Sequence, residues 1–291
     1  MREYRWSPPS AGQMSPPVLG YYINMDSNPD REQRLLGSLQ AQGVRHWYAR
    51  ERAVDGRTVA ERHATELDPG NLGCWLSHLS ILQRHLKSDR DLHVFEDDSV
   101  LCESFASQFS AVCAFLETVR DAWDIALTDA YIAPNLDQYG RFSRCMKRYD
   151  RDRAVSVIPL QAAAFAGGTS SILVNRDSIE KYFQLMRDGW KSGLPIDIYL
   201  RKLINRGKLS AKITVPFLTS VSELSAASDI RGQFDPSRIV LQAYRRTFFV
   251  DANPQELLHD FPQFSTESVS QRDRLFLKTV EFLLSDAYRS F

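Results

Sequence analysis

From residue 18 onwards, short apolar runs alternate with stretches in which apolar residues recur every three or four positions. The short runs are rich in β-branched and aromatic residues and predict strands, whereas the recurring stripes predict amphipathic helices. The predicted strands are VLGYYIN, HWYARERAV, DLHVF, WDIALTD, AVSVIPL, TSSILV and KITVPFL. The predicted helices are SNPDREQRLLGSLQAQG, LDPGNLGCWLSHLSILQRHL, SFASQFSAVCAFLETV, a segment capped by Asn175, and LPIDIYLRKLINRG. This alternation predicts an α/β fold.

Three segments lack such a pattern. Residues 1–17 are rich in proline and serine and predict a flexible N-terminal arm. The stretch AYIAPNLDQYGRFSRCMKRYDRDRA, residues 130–154, shows no clear period and predicts a long loop. The C-terminal residues 236–291 predict a mainly helical or irregular extension, so the catalytic or binding domain is expected over residues 18–235.

Composition argues against nucleic-acid binding and indicates the cellular compartment. Lys plus Arg and Asp plus Glu both number 36, so the chain lacks the basic excess typical of nucleic-acid-binding domains. The four cysteines show no CxxC spacing and are predicted to be buried free thiols, which fits a reducing compartment. The N-terminal sequence has no apolar signal-peptide region, and no apolar run has a membrane-spanning length. We therefore expect a cytoplasmic protein, with the inner face of the cytoplasmic membrane as a further expected location.

The strongest chemical signal is an acidic run, Glu96, Asp97 and Asp98, directly after the predicted strand DLHVF. Side chains alternate along a strand, so Glu96 and Asp98 are predicted to face one way and Asp97 the other. Mg²⁺ and Mn²⁺ prefer oxygen ligands and commonly sit on one or two carboxylates plus substrate phosphates. The run therefore indicates either a divalent cation holding a diphosphate or a solvated acidic turn.

Several stretches in the same order resemble glycosyltransferase family 25, which includes lipooligosaccharide galactosyltransferases and the collagen galactosyltransferase domain. They are YYINMDSNPDREQRL, RERAVDGR, LDPGNLGCWLSHLSILQRHL and DLHVFEDDSVL, with weaker likeness at GGTSSILVNRDSIEKYF and LPIDIYL. The resemblance covers roughly residues 18–205, and its most specific part is Gly-Cys-x-x-Ser-His followed by Glu-Asp-Asp. The likeness weakens beyond PFL, where the sequence departs from the family pattern.

The resemblance implies a GT-A fold, a Rossmann-like domain with a mixed central sheet that binds a nucleotide sugar with Mn²⁺ or Mg²⁺. It places Asp98 and Glu96 as metal ligands and Asp197 as the catalytic base. The residues that it implies for donor binding are Asn24, Asp26, Arg31, Asp55, Gly56, Ser77, His78, Glu96 and Asp97.

Each of these positions also has an ordinary structural interpretation. Arg31 fits a helix surface, Asp55 with Gly56 fits a turn, and Asp197 fits the first turn of a helix. His78 either donates a hydrogen bond to a phosphate of the ligand or donates one to a backbone carbonyl. His78 and His85 lie two turns apart, about 10 Å along a helix, so they are predicted not to share one ion.

The function implied by the resemblance is inverting transfer of a hexose, galactose from UDP-galactose, to a saccharide or glycolipid hydroxyl in surface-glycan biosynthesis. Two alternatives remain at this point: a non-catalytic nucleotide-sugar-binding scaffold of the same fold, and a glycoside hydrolase with two carboxylates. No nucleic-acid partner is expected. The basic, aromatic stretch RIVLQAYRRTFFV, residues 238–250, adds a peripheral membrane contact as a further hypothesis.

Overall fold

The computed structural model describes residues 17–60, 65–132, 136–160, 165–222 and 245–253, with the single positions 255, 270, 271 and 275. Within these residues the strands are β1 (Leu19–Asn24), β2 (Tyr48–Arg52), β3 (Leu92–Glu96), β4 (Ser99–Leu101), β5 (Ile125–Leu127), β6 (Tyr131–Ile132), β7 (Ser156–Pro159), β8 (Phe165–Gly167), β9 (Ser171–Val174), β10 (Ala211–Val215) and β11 (Thr219–Val221). The α-helices are α1 (Pro29–Ala41), α2 (Gly56–Val59), α3 (Pro69–Arg84), α4 (Phe105–Thr118), α5 (Leu136–Asp152), α6 (Ile179–Met186) and α7 (Ile196–Asn205).

Seven strands form the central sheet in the order β2-β1-β3-β9-β5-β10-β7. Strand β1 pairs in parallel with β2 and β3, and β5 pairs in parallel with β10. Strands β9 and β7 run antiparallel to their neighbours. Two small antiparallel pairs, β4 with β11 and β6 with β8, flank the sheet. The predicted α/β class and mixed central sheet are confirmed.

The sheet separates two hydrophobic clusters. Side chains of α1 and α4 pack on one face, and side chains of α3, α6 and α7 pack on the other. Strand β3 shows how the two faces alternate: Leu92 and Val94 belong to the α3 side, while Phe95 belongs to the α4 side. The same alternation directs the next residue, Glu96, towards α3.

Helix ends follow the signals in the sequence. Asp68 caps α3 by accepting a hydrogen bond from the Asn71 backbone N–H at 2.9 Å, and Pro69 occupies the first helical position. Gly43 follows α1 with φ of +68°, the left-handed conformation that ends many helices.

The predicted loop over residues 130–154 is wrong, because α5 occupies most of it. Phe142, Cys145, Met146 and Tyr149 recur at helical spacing and are buried or partly buried against the core. The Phe142 ring lies 4.9 Å from that of Phe248 in the C-terminal part. Gly140 and the many charged residues had concealed this narrow apolar stripe.

The predicted arm, residues 1–17, lies outside the described residues except for its last position, and the predicted extension, 236–291, is described only in small part. Among the described residues, no helix has both the length and the apolar character needed to cross a membrane.

Candidate active site at the carboxyl edge of the sheet

The acidic run lies where the parallel strands β1 and β3 end side by side. Asn24 is the last residue of β1, Glu96 is the last residue of β3, and Ile23 is the register partner of Glu96. Ligands of open α/β sheets bind in the crevice beyond the carboxyl ends of the strands. The predicted site residues on these two strands therefore come together at a suitable place.

Asp97 points towards β1 and α1, away from α3. Its carboxylate accepts a hydrogen bond from Asn24 Nδ2 at 2.8 Å and forms an ion pair with Arg31 at 3.3 Å. The Asn24 amide also donates to the backbone carbonyl of Asn28, and its oxygen accepts from Arg50 at 2.8 Å. This network fixes the turn that presents the three acidic residues.

Glu96 faces α3, as the strand alternation requires. Its Oε1 lies 3.6 Å from His78 Nε2 and 3.8 Å from Cys74 Sγ, and it accepts a hydrogen bond from Thr169 Oγ1 at 3.2 Å. Burial acts to raise the pKa of Glu96, but the nearby His78, Thr169 and Arg245 outweigh burial and lower that pKa. The Glu96 side chain retains 28% of its exposure, so solvent reaches it.

Asp98 follows the strand and has an incompletely satisfied carboxylate. Its Oδ1 is buried and has no hydrogen-bond partner among the described residues. Burial, reinforced by the charges of Glu96 and Asp97 and opposed by Arg245, raises the pKa of Asp98 to about 7. An orphaned carboxylate oxygen beside other acidic groups fits a cation ligand, so the residues present suit the expected divalent ion.

Asp197 lies in the first turn of α7, next to the loop after β8. Its Oδ2 accepts a hydrogen bond from the Gly168 backbone N–H at 3.1 Å, and its Oδ1 accepts one from the Ile198 N–H at 2.8 Å. The pKa of Cys74 is raised well above its ordinary value by burial first, and then by the charges of Glu96 and Asp197. Asp197 therefore belongs to the same charged neighbourhood as Glu96.

Four other residues predicted to bind the sugar donor make contacts with other parts of the fold. Ser77 is fully buried, accepting from the Val54 N–H at 2.9 Å and donating to the Gly73 carbonyl at 2.7 Å. Gly56 packs so closely on α3 that an added Cβ would lie 1.7 Å from the Pro69 carbonyl oxygen. Asp55 caps α2 and pairs with Arg57. For these three, the geometry adds no support to donor binding.

Asp26, the fourth, pairs with Arg50 and Arg52 at 2.8 and 2.6 Å and is half exposed. The two histidines of α3 are separate, as predicted: His85 Nε2 bonds the Tyr21 hydroxyl at 2.8 Å, whereas His78 Nε2 has no hydrogen-bond partner within the described part of the chain.

Sequence reasoning missed two groups at this site. The sequence predicts Cys74 only as a buried thiol, although Cys74 precedes His78 by four residues and so shares its helix face. Arg245 forms a buried ion pair with Asp129 and donates to Ser170 Oγ at 2.5 Å. The sequence gives no signal for that contact, since the partners are 116 positions apart.

The buried position of Arg245 also contradicts its proposed part in a membrane contact, because only 1% of the residue is exposed. The rest of that hypothesis falls largely on residues 238–244, which lie outside the described residues.

Comparison with protein families gives one match. The model of glycosyltransferase family 25 (LPS biosynthesis protein) matches residues 20–156, from β1 to just after α5. The matched span includes Asn24, Arg31, His78 and the acidic run, whereas Asp197 and Arg245 lie beyond it. A search of curated proteins gives no match. The resemblance identified from the sequence is confirmed.

Proposed function

We propose, on the premise that residues 20–156 match the model of glycosyltransferase family 25, that this protein is a metal-dependent, inverting hexosyltransferase. The donor in this proposal is UDP-galactose, and the acceptor is a hydroxyl group of a saccharide or glycolipid in lipopolysaccharide or other surface-glycan biosynthesis. The family supports glycosyl transfer, and the metal, the stereochemistry and the donor are the parts that the proposal adds.

The observation that carries the proposal is the orphaned Asp98 Oδ1 beside Glu96 at the carboxyl edge of the sheet. A buried carboxylate oxygen without a partner is unfavourable unless a ligand completes it. Asp98 and Glu96 would hold Mn²⁺ or Mg²⁺. When bound, such an ion would neutralise charge that develops on the diphosphate leaving group.

Asn24, Arg31 and Asp97 have a positioning role in this proposal. The Asn24 amide and the Arg31 guanidinium both hold Asp97. Because Asp97 separates Glu96 from Asp98 in the chain, fixing its side chain limits how far the other two carboxylates can move. His78, next to Glu96, keeps its predicted role in binding the nucleotide-sugar donor.

Asp197 is the proposed base of a single-displacement transfer. The acceptor hydroxyl gives its proton to the Asp197 carboxylate, and its oxygen forms a bond to the anomeric carbon. The bond from that carbon to the diphosphate oxygen breaks at the same time, and the electron pair leaves with UDP. Two backbone hydrogen bonds hold the Asp197 carboxylate in one orientation, which favours such a role.

Thermal melting of the full chain with candidate donors tests the proposal. UDP-galactose, UDP-glucose, UDP-GlcNAc and GDP-mannose are each added with and without Mn²⁺, because a ligand that binds the native state raises the melting temperature. We expect a manganese-dependent rise with UDP-galactose, followed by release of UDP when a saccharide acceptor is added. A rise with a different sugar would change the donor, and no rise with any of them would contradict the proposed site.

A further inference from the structure

Three potential metal ligands converge on the α3 side of the sheet edge. The Sγ of Cys74, the Nε2 of His78 and a carboxylate oxygen of Glu96 all lie within 4.8 Å of one another. Cys74 and His78 are four residues apart on one face of α3, and strand alternation brings Glu96 to that face. The fold thus places a thiol, an imidazole and a carboxylate together.

The distances suit a tetrahedral ion. Typical zinc bond lengths give tetrahedron edges of about 3.4 Å between nitrogen and oxygen and about 3.6 Å between sulfur and oxygen. The corresponding distances here are 3.6 Å from His78 Nε2 to Glu96 Oε1 and 3.8 Å from Cys74 Sγ to Glu96 Oε1. Both exceed the ideal edges by only about 0.2 Å, and the third pair, Cys74 Sγ and His78 Nε2, lies within 4.8 Å.

His78 supplies an independent sign of a missing ligand. Its side chain is 6% exposed, and its Nε2 is buried without a hydrogen-bond partner among the described residues. The separation of 3.6 Å from Glu96 is too long for a hydrogen bond but suits two ligands of one ion. A buried imidazole nitrogen left unsatisfied beside a thiol and a carboxylate indicates that a cation belongs between them.

We infer that Cys74, His78 and Glu96 form a site for a thiophilic divalent cation, Zn²⁺ or its spectroscopic substitute Co²⁺. A thiolate and an imidazole favour such ions, whereas Mg²⁺ and Mn²⁺ prefer oxygen ligands. Metal binding displaces the Cys74 thiol proton to solvent as the sulfur–metal bond forms. Thr169 donates a hydrogen bond to Glu96 Oε1 and so orients the carboxylate without binding the ion itself.

Three protein ligands leave a fourth coordination position, which is the arrangement of catalytic rather than structural zinc sites. Solvent reaches the group, because Cys74 and Glu96 are only partly buried. The inference does not rest on the proposed transferase activity. It shares Glu96 with the oxygen-ligated Mn²⁺ or Mg²⁺ proposed above, and the thiolate is what distinguishes the two ions.

The test uses the full chain freed of metal with EDTA and titrated with Co²⁺ and then with Zn²⁺. We expect a near-ultraviolet thiolate-to-cobalt charge-transfer band that saturates at one ion per chain and disappears when Zn²⁺ displaces the cobalt. Cys74→Ser should abolish the band and weaken zinc binding by at least about 100-fold, more than the loss of a residue that only hydrogen-bonds to a metal ligand. Cys145→Ser, a similarly half-buried helical thiol outside the site, is the matched control and should keep both.

Glu96→Gln covers the case in which Cys74→Ser fails to fold, since it should weaken zinc binding while the thiolate band remains. Absence of the band from the wild-type protein at saturating Co²⁺, or its persistence in folded Cys74→Ser, would overturn the inference. Neither readout depends on sugar transfer. A protein with the band and no transferase activity would support this site while the proposed function fails, and an active transferase without the band would do the reverse.

Discussion

The guanidinium of Arg245 forms a buried ion pair with the carboxylate of Asp129 beneath the acidic site. It also donates to Ser170 Oγ and lies over the Tyr131 ring, 4.6 Å from the ring centroid. Ser170 Oγ in turn donates to Asp129 at 2.9 Å. Residues 245–253 therefore contribute, through Arg245, the cation that balances negative charge at the base of the site, and this charge also opposes the rise in the pKa of Asp98.

Arg245→Met should destabilise the protein by about 3–5 kcal/mol, because it leaves the Asp129 carboxylate buried without its counter-charge. Adding Asp129→Asn to the same chain should recover much of that loss. Urea unfolding of the two single variants and the double variant measures the coupling between the residues. Arg206→Met, at an exposed position, is the control for the substitution itself. Losses that simply add in the double variant would contradict this account of the pair.

Gly167→Ala should displace the proposed base. A Cβ at this position would lie 2.6 Å from Asp197 Oδ2, so the carboxylate has to move by about 1 Å to reach an ordinary contact. A misplacement of that size can lower a catalytic rate by about 100-fold. Release of UDP from the donor identified by the melting screen measures the loss.

Gly37→Ala is the matched control for that change, because Gly37 lies in α1 and an added Cβ meets nothing within 4 Å. It should stabilise the protein by about 0.5–1 kcal/mol through helix propensity and leave transfer unchanged. If Gly167→Ala kept the full rate of transfer, Asp197 would lose its support as the base.

His93 should make the fold sensitive to acid. It lies within an aromatic cluster, bonded to the Tyr48 hydroxyl at 2.8 Å and to Ser171 Oγ at 3.0 Å, and burial lowers its pKa to about 3. The unfolded chain binds the His93 proton near pH 6.5, whereas the folded protein resists it until about pH 3. Stability is therefore complete above pH 6.5 and falls as the pH drops through this window, by about 2 kcal/mol at pH 5 from this residue alone.

His93→Phe should remove that part of the acid sensitivity, so the difference in unfolding free energy between pH 7 and pH 5 should shrink by about 2 kcal/mol. Urea unfolding at the two pH values measures it. His46→Phe, at an exposed position, controls for the loss of a histidine. An unchanged pH difference in His93→Phe would show that the imidazole titrates freely in the folded protein.

Local signals predicted the elements that build the site. The stripe of α3, its Asp68 cap and the apolar run before Glu96 depend on neighbouring residues, and the structure confirms each of them. Alternation also placed Glu96 and Asp97 on opposite sides, because β3 continues to Glu96 and the chain turns only afterwards. The identity of the acidic run as a family feature came from the resemblance and not from periodicity.

Contacts between distant parts of the chain were beyond such reasoning. Ser77 lies within the Gly-Cys-x-x-Ser-His motif that carries the family resemblance. In the fold, its hydroxyl joins α3 to the loop after β2. Arg245 lies in a stretch whose basic and aromatic composition equally fits a membrane surface or an interior, and only the folded chain brings it to Asp129. The residue type determines what a side chain can bind, whereas tertiary packing determines which partner that side chain meets.

Asp98→Asn should separate function from stability. The change removes one negative charge that burial, Glu96 and Asp97 all disfavour, so the metal-free protein should unfold at a temperature no lower than the wild type. Transfer should fall by at least about 100-fold, or about 2.7 kcal/mol of transition-state stabilisation, and the Mn²⁺-dependent rise in melting temperature with the donor should disappear. Asp89→Asn, an exposed acidic residue in the turn before β3, should retain both. Full transfer by Asp98→Asn would remove Asp98 from the metal site, because an amide does not replace the charge that the ion requires.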